Sequence, residues 1–385
     1  MHIVMVGDYP RDPNHIGGGV EAVVLYLSQA LQHYSDLKLD VITLERWGRE
    51  RRTVNHGQVT VHYLPASTLP SRLSIMDNIR QMRDEMLRLK PDLVHVHISS
   101  EYAHAAAKTG LPWILTLHGI RYLESALRSG LLNRYRGWFI KRDEFQVIQK
   151  AKHIISISPF IQSVFNGHIR GKVYDIENPI SEAFFKVPQK RTPGQLLYAG
   201  RLIPRKDIMT LLRAFADLRQ RIPEARLRLA GGSTFKSEPN DYHLQLKNFV
   251  TEADLEESVT FLGNLDEPAL LEEYANCAAL VLSSILETAP MVIMQALAAG
   301  KPVVSTDAGG ARYLVEDGKT GFIVPIGAQK ALADAMFRVL HNETELETMS
   351  NRAKATAEQR FRATVVAERT RQVYYEVFGQ VPPPA

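Results

Sequence analysis

Twice in its 385 residues this chain runs from a short, wholly apolar segment through a glycine turn into an amphipathic stretch. The first instance is Met1–Gly7, then Gly17-Gly18-Gly19-Val20-Glu21 and AVVLYLSQALQHY. The second is Leu196–Ala199, then Gly200-Arg201-Leu202-Ile203-Pro204-Arg205-Lys206-Asp207 and an expected helix from Ile208 to Gln220. Continuous apolar runs of this length suit strands buried on both faces, as in parallel sheets covered by helices. Strand, glycine loop and helix is also how a phosphate cradle is built, because the free N–H groups of the helix start face the loop. The Gly17–Gly19 turn fits neither GxGxxG nor GxxxxGK[ST]. It reads either as an anion cradle or as a flexible loop in which Glu21 complements the helix dipole.

The alternation continues along the whole chain. Further strands are expected at Leu39–Leu44, Val59–Tyr63, Pro91–His97, Trp113–Leu117, Ile154–Ser158 and Val173–Ile176. Beyond the polar, proline-flanked segment Pro188–Gly194, and besides Leu196–Ala199, they are expected at Ala225–Ala230, Val259–Leu262, Ala279–Leu282, Pro302–Ser305 and Gly321–Val324. This pattern predicts two doubly wound α/β domains in tandem, each with a ligand crevice at the carboxyl ends of its strands. The length agrees, since one hydrophobic core rarely organises so many residues. A hydrophobic content of 45% and a charged content of 23% are those of a soluble globular protein. The single Cys277 permits no disulfide framework, the chain opens on a strand rather than a leader pattern, and no apolar run reaches spanning length. The expected location is the cytoplasm.

The net charge of +4 lies entirely in the first half. Residues 1–182 hold 22 Lys+Arg against 18 Asp+Glu, whereas residues 183–385 hold 24 of each. One exposed basic run is Arg46–Arg52. Another, Arg121–Arg142, carries Arg121, Arg128, Arg134, Arg136, Lys141 and Arg142 among Tyr122, Tyr135, Trp138 and Phe139, with Glu124 as its only acid. No helix-turn-helix, zinc-finger or RNP pattern accompanies the surplus, so nucleic acid is not the expected partner. The second run reads as a solvated helical face, or as a contact for an anionic acceptor or for a membrane surface touched peripherally.

The polar residues that interrupt the apolar frame are few. In Ser283–Gly300, Glu287 precedes a helix expected to start near Pro290 with Thr288 as its cap, and Gln295 follows about one turn in. The N-terminus of that helix, Ala289-Pro290-Met291, offers unpaired N–H groups to an anion. Arg201 and Lys206, five apart in one loop, pair a guanidinium fork with a point charge, a combination suited to a diphosphate. Glu287 is a carboxylate among cations, suited to accept from sugar hydroxyls. His118 and His97 end strands and face the expected crevice, while His95 reads as core.

Taken in order, Gly18-Gly19-Val20-Glu21, Thr116-Leu117-His118-Gly119, Gly200-Arg201-Leu202 with Lys206, Glu287–Val304 (ETAPMVIMQALAAGKPVV) and Thr306–Pro325 with DGKTGFIVP resemble the retaining GT-B glycosyltransferases of family GT4. The resemblance implies two Rossmann-like doubly wound domains facing across a cleft. Residues 1–184 would bind the acceptor and 185–362 the nucleotide sugar, with 363–385 forming a helix that returns to the first domain. It implies a UDP- or GDP-linked donor, a glycan, lipid-linked or small-molecule hydroxyl acceptor, and neither metal nor cofactor. Arg201 and Lys206 would hold the diphosphate, Glu287 the sugar, Gln295 the ribose, Gly263-Asn264 the base, and Ala289, Pro290 and Met291 would border the phosphate. Gly18-Gly19 would approach the phosphate from the other domain, His118 would line the sugar, and His97 and Arg121 are candidates for acceptor contact. Catalytic weight falls on His118, Arg201, Lys206 and Glu287, with transfer by front-face displacement. Three positions depart from the family pattern: Gln295 replaces the second of two paired acids, Asp207 stands where glycine is common, and Ala230-Gly231-Gly232 lacks a common acid. A sugar phosphorylase and a degenerate nucleotide-sugar-binding protein are the alternatives on the same fold.

Overall fold

A computed structural model describes residues 1–13, 15–45, 48, 50–69, 71–126, 131–232 and 241–384. Of the basic runs, Arg46, Trp47, Arg49 and Arg128, and the side chain of Arg134, lie outside the described residues. The chain forms two compact units, Met1–Pro179 with Ala363–Ala385, and Ile180–Arg362.

In chain order the first unit contains β1 (His2–Val6), α1 (Gly19–Leu31), β2 (Lys38–Glu45), β3 (Arg52–His56), β4 (Val59–Pro65), α2 (Ser71–Leu89), β5 (Leu93–Val96), α3 (Glu101–Ala107), β6 (Trp113–Leu117), α4 (Arg121–Ala126), α5 (Leu131–Lys150), β7 (His153–Ser156), α6 (Pro159–Val164) and β8 (Lys172–Asp175). Its sheet has the order β3-β4-β2-β1-β5-β6-β7-β8, parallel except for β3. The apolar runs are buried for the reason expected: Ile3, Val4, Met5 and Val6 lose all exposure between helical layers. Strand β3 was not expected. It pairs antiparallel with β4 at the sheet edge and alternates half-buried with exposed residues, a weak signal beside a run of arginines.

The second unit contains α7 (Glu182–Phe185), β9 (Gln195–Ala199), α8 (Ile208–Arg219), β10 (Arg226–Ala230), α9 (Asp241–Glu252), β11 (Val259–Gly263), α10 (Glu267–Asn276), β12 (Ala279–Leu282), α11 (Met291–Ala298), β13 (Val303–Thr306), β14 (Gly321–Val324), α12 (Gln329–His341) and α13 (Glu343–Arg360). Its six strands are all parallel, in the order β11-β10-β9-β12-β13-β14. The boundary falls at Pro179, not residue 184. Ile180 donates its N–H to Phe361 (2.9 Å), and Phe184 and Phe185 are buried in the second unit's core.

The last helix, α14 (Ala363–Val377), belongs to the first unit. Tyr374 is fully buried and Val373 nearly so, while Phe378 stays exposed. Arg371 is 1% exposed and bonds Asp36 through Nε (3.0 Å), and the Tyr375 hydroxyl donates to the same carboxylate (2.7 Å).

Both sheets reverse direction once. In the first unit β1 lies between β2 and β5, and in the second β9 lies between β10 and β12. Loops leaving the carboxyl ends of strands at such a reversal diverge and leave a crevice. The loops after β1 and β5, and those after β9 and β12, therefore carry the residues of interest.

Candidate active site

In the second unit, the loop after β9 ends in a single helical turn, Pro204–Lys206, closed by Asp207 in the left-handed conformation (φ 46°, ψ 49°). Glycine adopts that conformation freely, which accounts for its frequency there. Asp is among the few residues that tolerate it, and here its carboxylate also caps α8 by accepting from Thr210 N (3.4 Å). The loop after β12 is stitched to this turn. Ile285 N donates to Arg205 O (2.9 Å), Ser283 Oγ to Lys206 O (2.9 Å), and Arg205 Nη1 to Leu286 O (2.7 Å).

The stitching brings three charges together. Lys206 Nζ bonds Glu287 Oε1 directly, Ser284 Oγ donates to the same oxygen (2.6 Å), and Arg205 Nη1 stands 3.9 Å from Oε2. Glu287 is 6% exposed. Burial pushes its carboxyl up, but the Lys206 and Arg205 charges outweigh that and hold it below the ordinary glutamate value. It is therefore an anion at neutral pH, compensated by two cations. Arg201 is exposed at the start of the loop, its carbonyl fixed by the Tyr198 hydroxyl (2.9 Å).

Three neighbouring expectations acquire geometry. Pro290, not Thr288, occupies the cap position of α11, and no side chain caps that helix, so the N–H groups of its first turn are not taken by a side-chain cap. Gln295 is half-buried and its Oε1 accepts from the Tyr274 hydroxyl (3.4 Å), which also donates to Val292 O (3.1 Å). At Ala230-Gly231-Gly232 the backbone leaves no space for a side chain on Gly231, and Asn264 crowds Gly232. A Cβ on Gly231 (φ +139°) would stand 1.9 Å from Gly200 O, and one on Gly232 would stand 3.1 Å from Asn264 Oδ1.

In the first unit, Gly17–Gly19 leads into α1 with Gly18 as its cap residue. Gly17 N donates to Glu21 Oε2 (2.6 Å), so the loop already presents an amide to a carboxylate. Three imidazoles lie at the carboxyl ends of β5 and β6, His95 within β5 and His97 and His118 just past the two strands. His95 bonds the Tyr374 hydroxyl through Nδ1 (2.7 Å) and Thr116 Oγ1 through Nε2 (2.7 Å). His97 Nδ1 faces His118 Nε2 at 3.0 Å, with the rings stacked. Burial lowers the pKa of His95 to about 3 and of His118 to about 4, and takes His97 well below its ordinary value. Asn178 is close enough to raise His118 slightly but is not in hydrogen-bond geometry with it. All three rings are neutral at pH 7, so the His97–His118 bond needs one ring nitrogen protonated and the other bare.

His97 is 1% exposed and bonds His118, so in this structure it serves to orient that ring. Arg121 is also engaged, donating to Ser99 O and to Asp143 Oδ2 (3.0 Å). The turn that follows His118 is anchored by a residue that spacing does not reveal. Glu144 of α5, fully buried, accepts from Arg121 N and Tyr122 N (both 3.1 Å) and from Ser99 Oγ (3.1 Å). Burial raises its carboxyl, against those bonds. Sequence reasoning also missed Arg205 and Ser284; the adjacency of Arg205 to Lys206 was the one available signal.

With this geometry in place, comparison with known proteins is direct. Residues 179–356 match the family described as glycosyl transferases group 1, and residues 17–184 match glycosyltransferase family 4. The N-acetyl-alpha-D-glucosaminyl L-malate synthase of Bacillus anthracis is 23% identical over 308 residues, which are 77% of this chain and 78% of that protein. Sucrose-phosphate synthase from Thermosynechococcus elongatus has the same fold, with a TM-score of 0.81 at 21% identity over 98% of this chain and 99% of that one. Anabaena HepE, solved with UDP-glucose, has a TM-score of 0.73 at 21% identity over 98% of this chain and 100% of that one. Two parallel-sheet α/β units of this kind define the GT-B class. The chain belongs to the GT4-like group 1 glycosyltransferases. No described helix is long and apolar enough to cross a membrane.

Proposed function

We propose that the protein moves a hexose-type sugar from a UDP- or GDP-linked donor to a hydroxyl acceptor (a glycan, a lipid-linked molecule or a small molecule) with retention at the anomeric carbon. The observation that carries this reading is the Glu287–Lys206–Arg205 cluster at the second unit's strand reversal, beside exposed Arg201. Arg201, Lys206 and the uncapped start of α11 supply positive potential for the diphosphate, so no metal ion or cofactor is invoked. Glu287 is held ionised to accept from the sugar hydroxyls. The bond from C1 to the diphosphate oxygen breaks, a bond from C1 to the acceptor oxygen forms on the same face, and the acceptor proton passes to the leaving phosphate. His118, held neutral, offers a hydrogen bond to the sugar without adding charge. HepE, solved with UDP and glucose, supports this choice of donor class. The reading keeps the protein in the cytoplasm.

The test is a thermal-shift and calorimetric panel of nucleotide sugars, followed by Arg201→Ala and Lys206→Ala. Both variants should weaken donor binding and transfer while circular dichroism shows the fold retained. Transfer that continues unchanged in both would sink the assignment. Strict dependence on free phosphate without nucleotide binding would point to the phosphorylase instead. Binding without turnover would favour the binding-only reading, which Gln295 in place of a carboxylate motivates.

A further inference from the structure

Helix α5 changes character along its length. From Glu144 onward it faces inward, with Glu144, Val147 and Ile148 buried. Before that point it exposes Tyr135 (66%), Trp138 (54%) and Phe139 (40%). These residues and exposed Arg142 follow the spacing i, i+3, i+4, i+7, which places them on one stripe. The Tyr135 and Trp138 rings each meet Phe139 edge-on at 4.9 Å, and the Arg142 guanidinium lies 5.8 Å from the Trp138 ring. An aromatic stripe of this size is unusual on a surface that meets only water.

The exposed charge of α5 around the stripe is mainly positive. Arg136, Lys141 and Arg142 are exposed. The acids of α5 are paired or buried: Asp143, its side chain 39% exposed, bonds His104 (2.6 Å) and Arg121, and Glu144 is buried on backbone donors. Exposed Glu124 is the one acid left on α4. A second apolar group borders the same edge, where Leu73, Ile75 and Met76 stand exposed at the start of α2. Helices α2, α3 and α4 follow parallel strands β4, β5 and β6, so they leave the sheet by one edge. Asn78 of α2 reaches Glu101 of α3 (3.2 Å), and His104 of α3 reaches Asp143 of α5.

We propose that this edge docks the first unit onto an anionic lipid bilayer, with Tyr135, Trp138 and Phe139 seated at headgroup depth and Arg136, Lys141 and Arg142 facing lipid phosphates. The argument for this occupant is charge complementarity combined with side chains that favour the membrane–water boundary. A second copy of the chain would bring the same three cations against their equals, which like-charge repulsion opposes. The proposal goes beyond the transfer reading and does not depend on it, since binding to vesicles is measured without any sugar.

The experiment is co-sedimentation of the full chain with phosphatidylcholine vesicles, with and without phosphatidylglycerol, across a salt series. The variants are Trp138→Ser/Phe139→Ser and Arg136→Glu/Arg142→Glu, with melting temperature and nucleotide-sugar binding as controls for folding. The protein should bind the anionic vesicles at low salt, leave them as salt rises, and ignore phosphatidylcholine alone. Each basic residue lost should weaken partition roughly fivefold, and the aromatic pair should weaken it further at every salt concentration. Equal partition of the native chain and both folded variants would overturn the proposal. So would a concentration-dependent dimer that both variants abolish while no form binds lipid, which would reassign the stripe to a contact between copies.

Discussion

The two strand reversals share a topology and treat charge in opposite ways. In the second unit the crevice holds formal charge at full strength: a buried carboxylate kept ionised by a lysine and an arginine. In the first unit the polar groups at the carboxyl ends of β5 and β6 are imidazoles kept neutral by burial and hydrogen-bonded to Tyr374, Thr116 and one another. The fold decides where a ligand is met, and the burial and pairing of a few side chains decide what can be met there. A diphosphate calls for the first arrangement. Neutral imidazoles suit hydroxyl groups, which need hydrogen-bond partners and not charge.

That contrast can be broken from the charged side most forcefully. Glu287→Ala leaves Lys206 and Arg205 facing each other without their anion, with side chains only 12% and 17% exposed. Breaking a buried pair in this way costs about 3 to 5 kcal/mol, which a urea midpoint measures. Added nucleoside diphosphate should recover more stability in this variant than in the native protein, because it supplies the missing negative charge. On the neutral side, His118→Ala should lower turnover on the order of a hundredfold, at a smaller cost in stability of about 1 to 3 kcal/mol from the partner His97 loses. A loss confined to KM would instead make His118 a ground-state contact only.

Acid provides the next test. The folded pKa of His95 is depressed from 6.5 to about 3 and that of His118 to about 4, so the unfolded chain binds more protons than the folded one between those values. Stability therefore holds above pH 6.5 and falls as pH drops below it. At about pH 5 the His95 contribution to the loss is about 2 kcal/mol. Glu287, whose folded pKa is lowered, keeps its contribution until acid reaches the carboxylate range. A first unit that resists pH 5 as well as it resists pH 7 would mean that the imidazoles are not buried neutral. The smallest expected change is Gln295→Glu. It converts a neutral acceptor into a charged one for about 1 kcal/mol, roughly a fivefold lower donor KM at unchanged turnover. A rise in turnover of a hundredfold would show that activity had been lost with the carboxylate.

How much of this was legible in the sequence depended on distance along the chain. Leu196–Ala199 and Met1–Gly7 announce themselves, because strands buried on both faces need unbroken apolar runs. The glycine loops, Arg201, Lys206, Glu287 and His118 stand at the ends of such runs and could be placed with them. The bond between Lys206 and Glu287 joins residues 81 apart, and that between His95 and Tyr374 joins residues 279 apart. Contacts of that span exist only once the sheets close. Glu144 was hidden for a related reason, since it caps a helix that starts 23 residues earlier in the chain. Asp207 departs from the family pattern, and its backbone conformation gives the reason: it both tolerates the turn and caps α8.

The last helix gives the molecule an order of manufacture. The second unit is an insertion: its final residue, Arg362, is synthesised before Ala363–Ala385 complete the first. Until α14 emerges, His95 lacks the Tyr374 hydroxyl and Asp36 lacks Arg371. Domains generally fold as they leave the ribosome, yet here the unit begun first is finished last. A shortened C-terminus would therefore be felt at the imidazoles encoded near the other end of the gene, and the second unit would emerge with its charged crevice already complete.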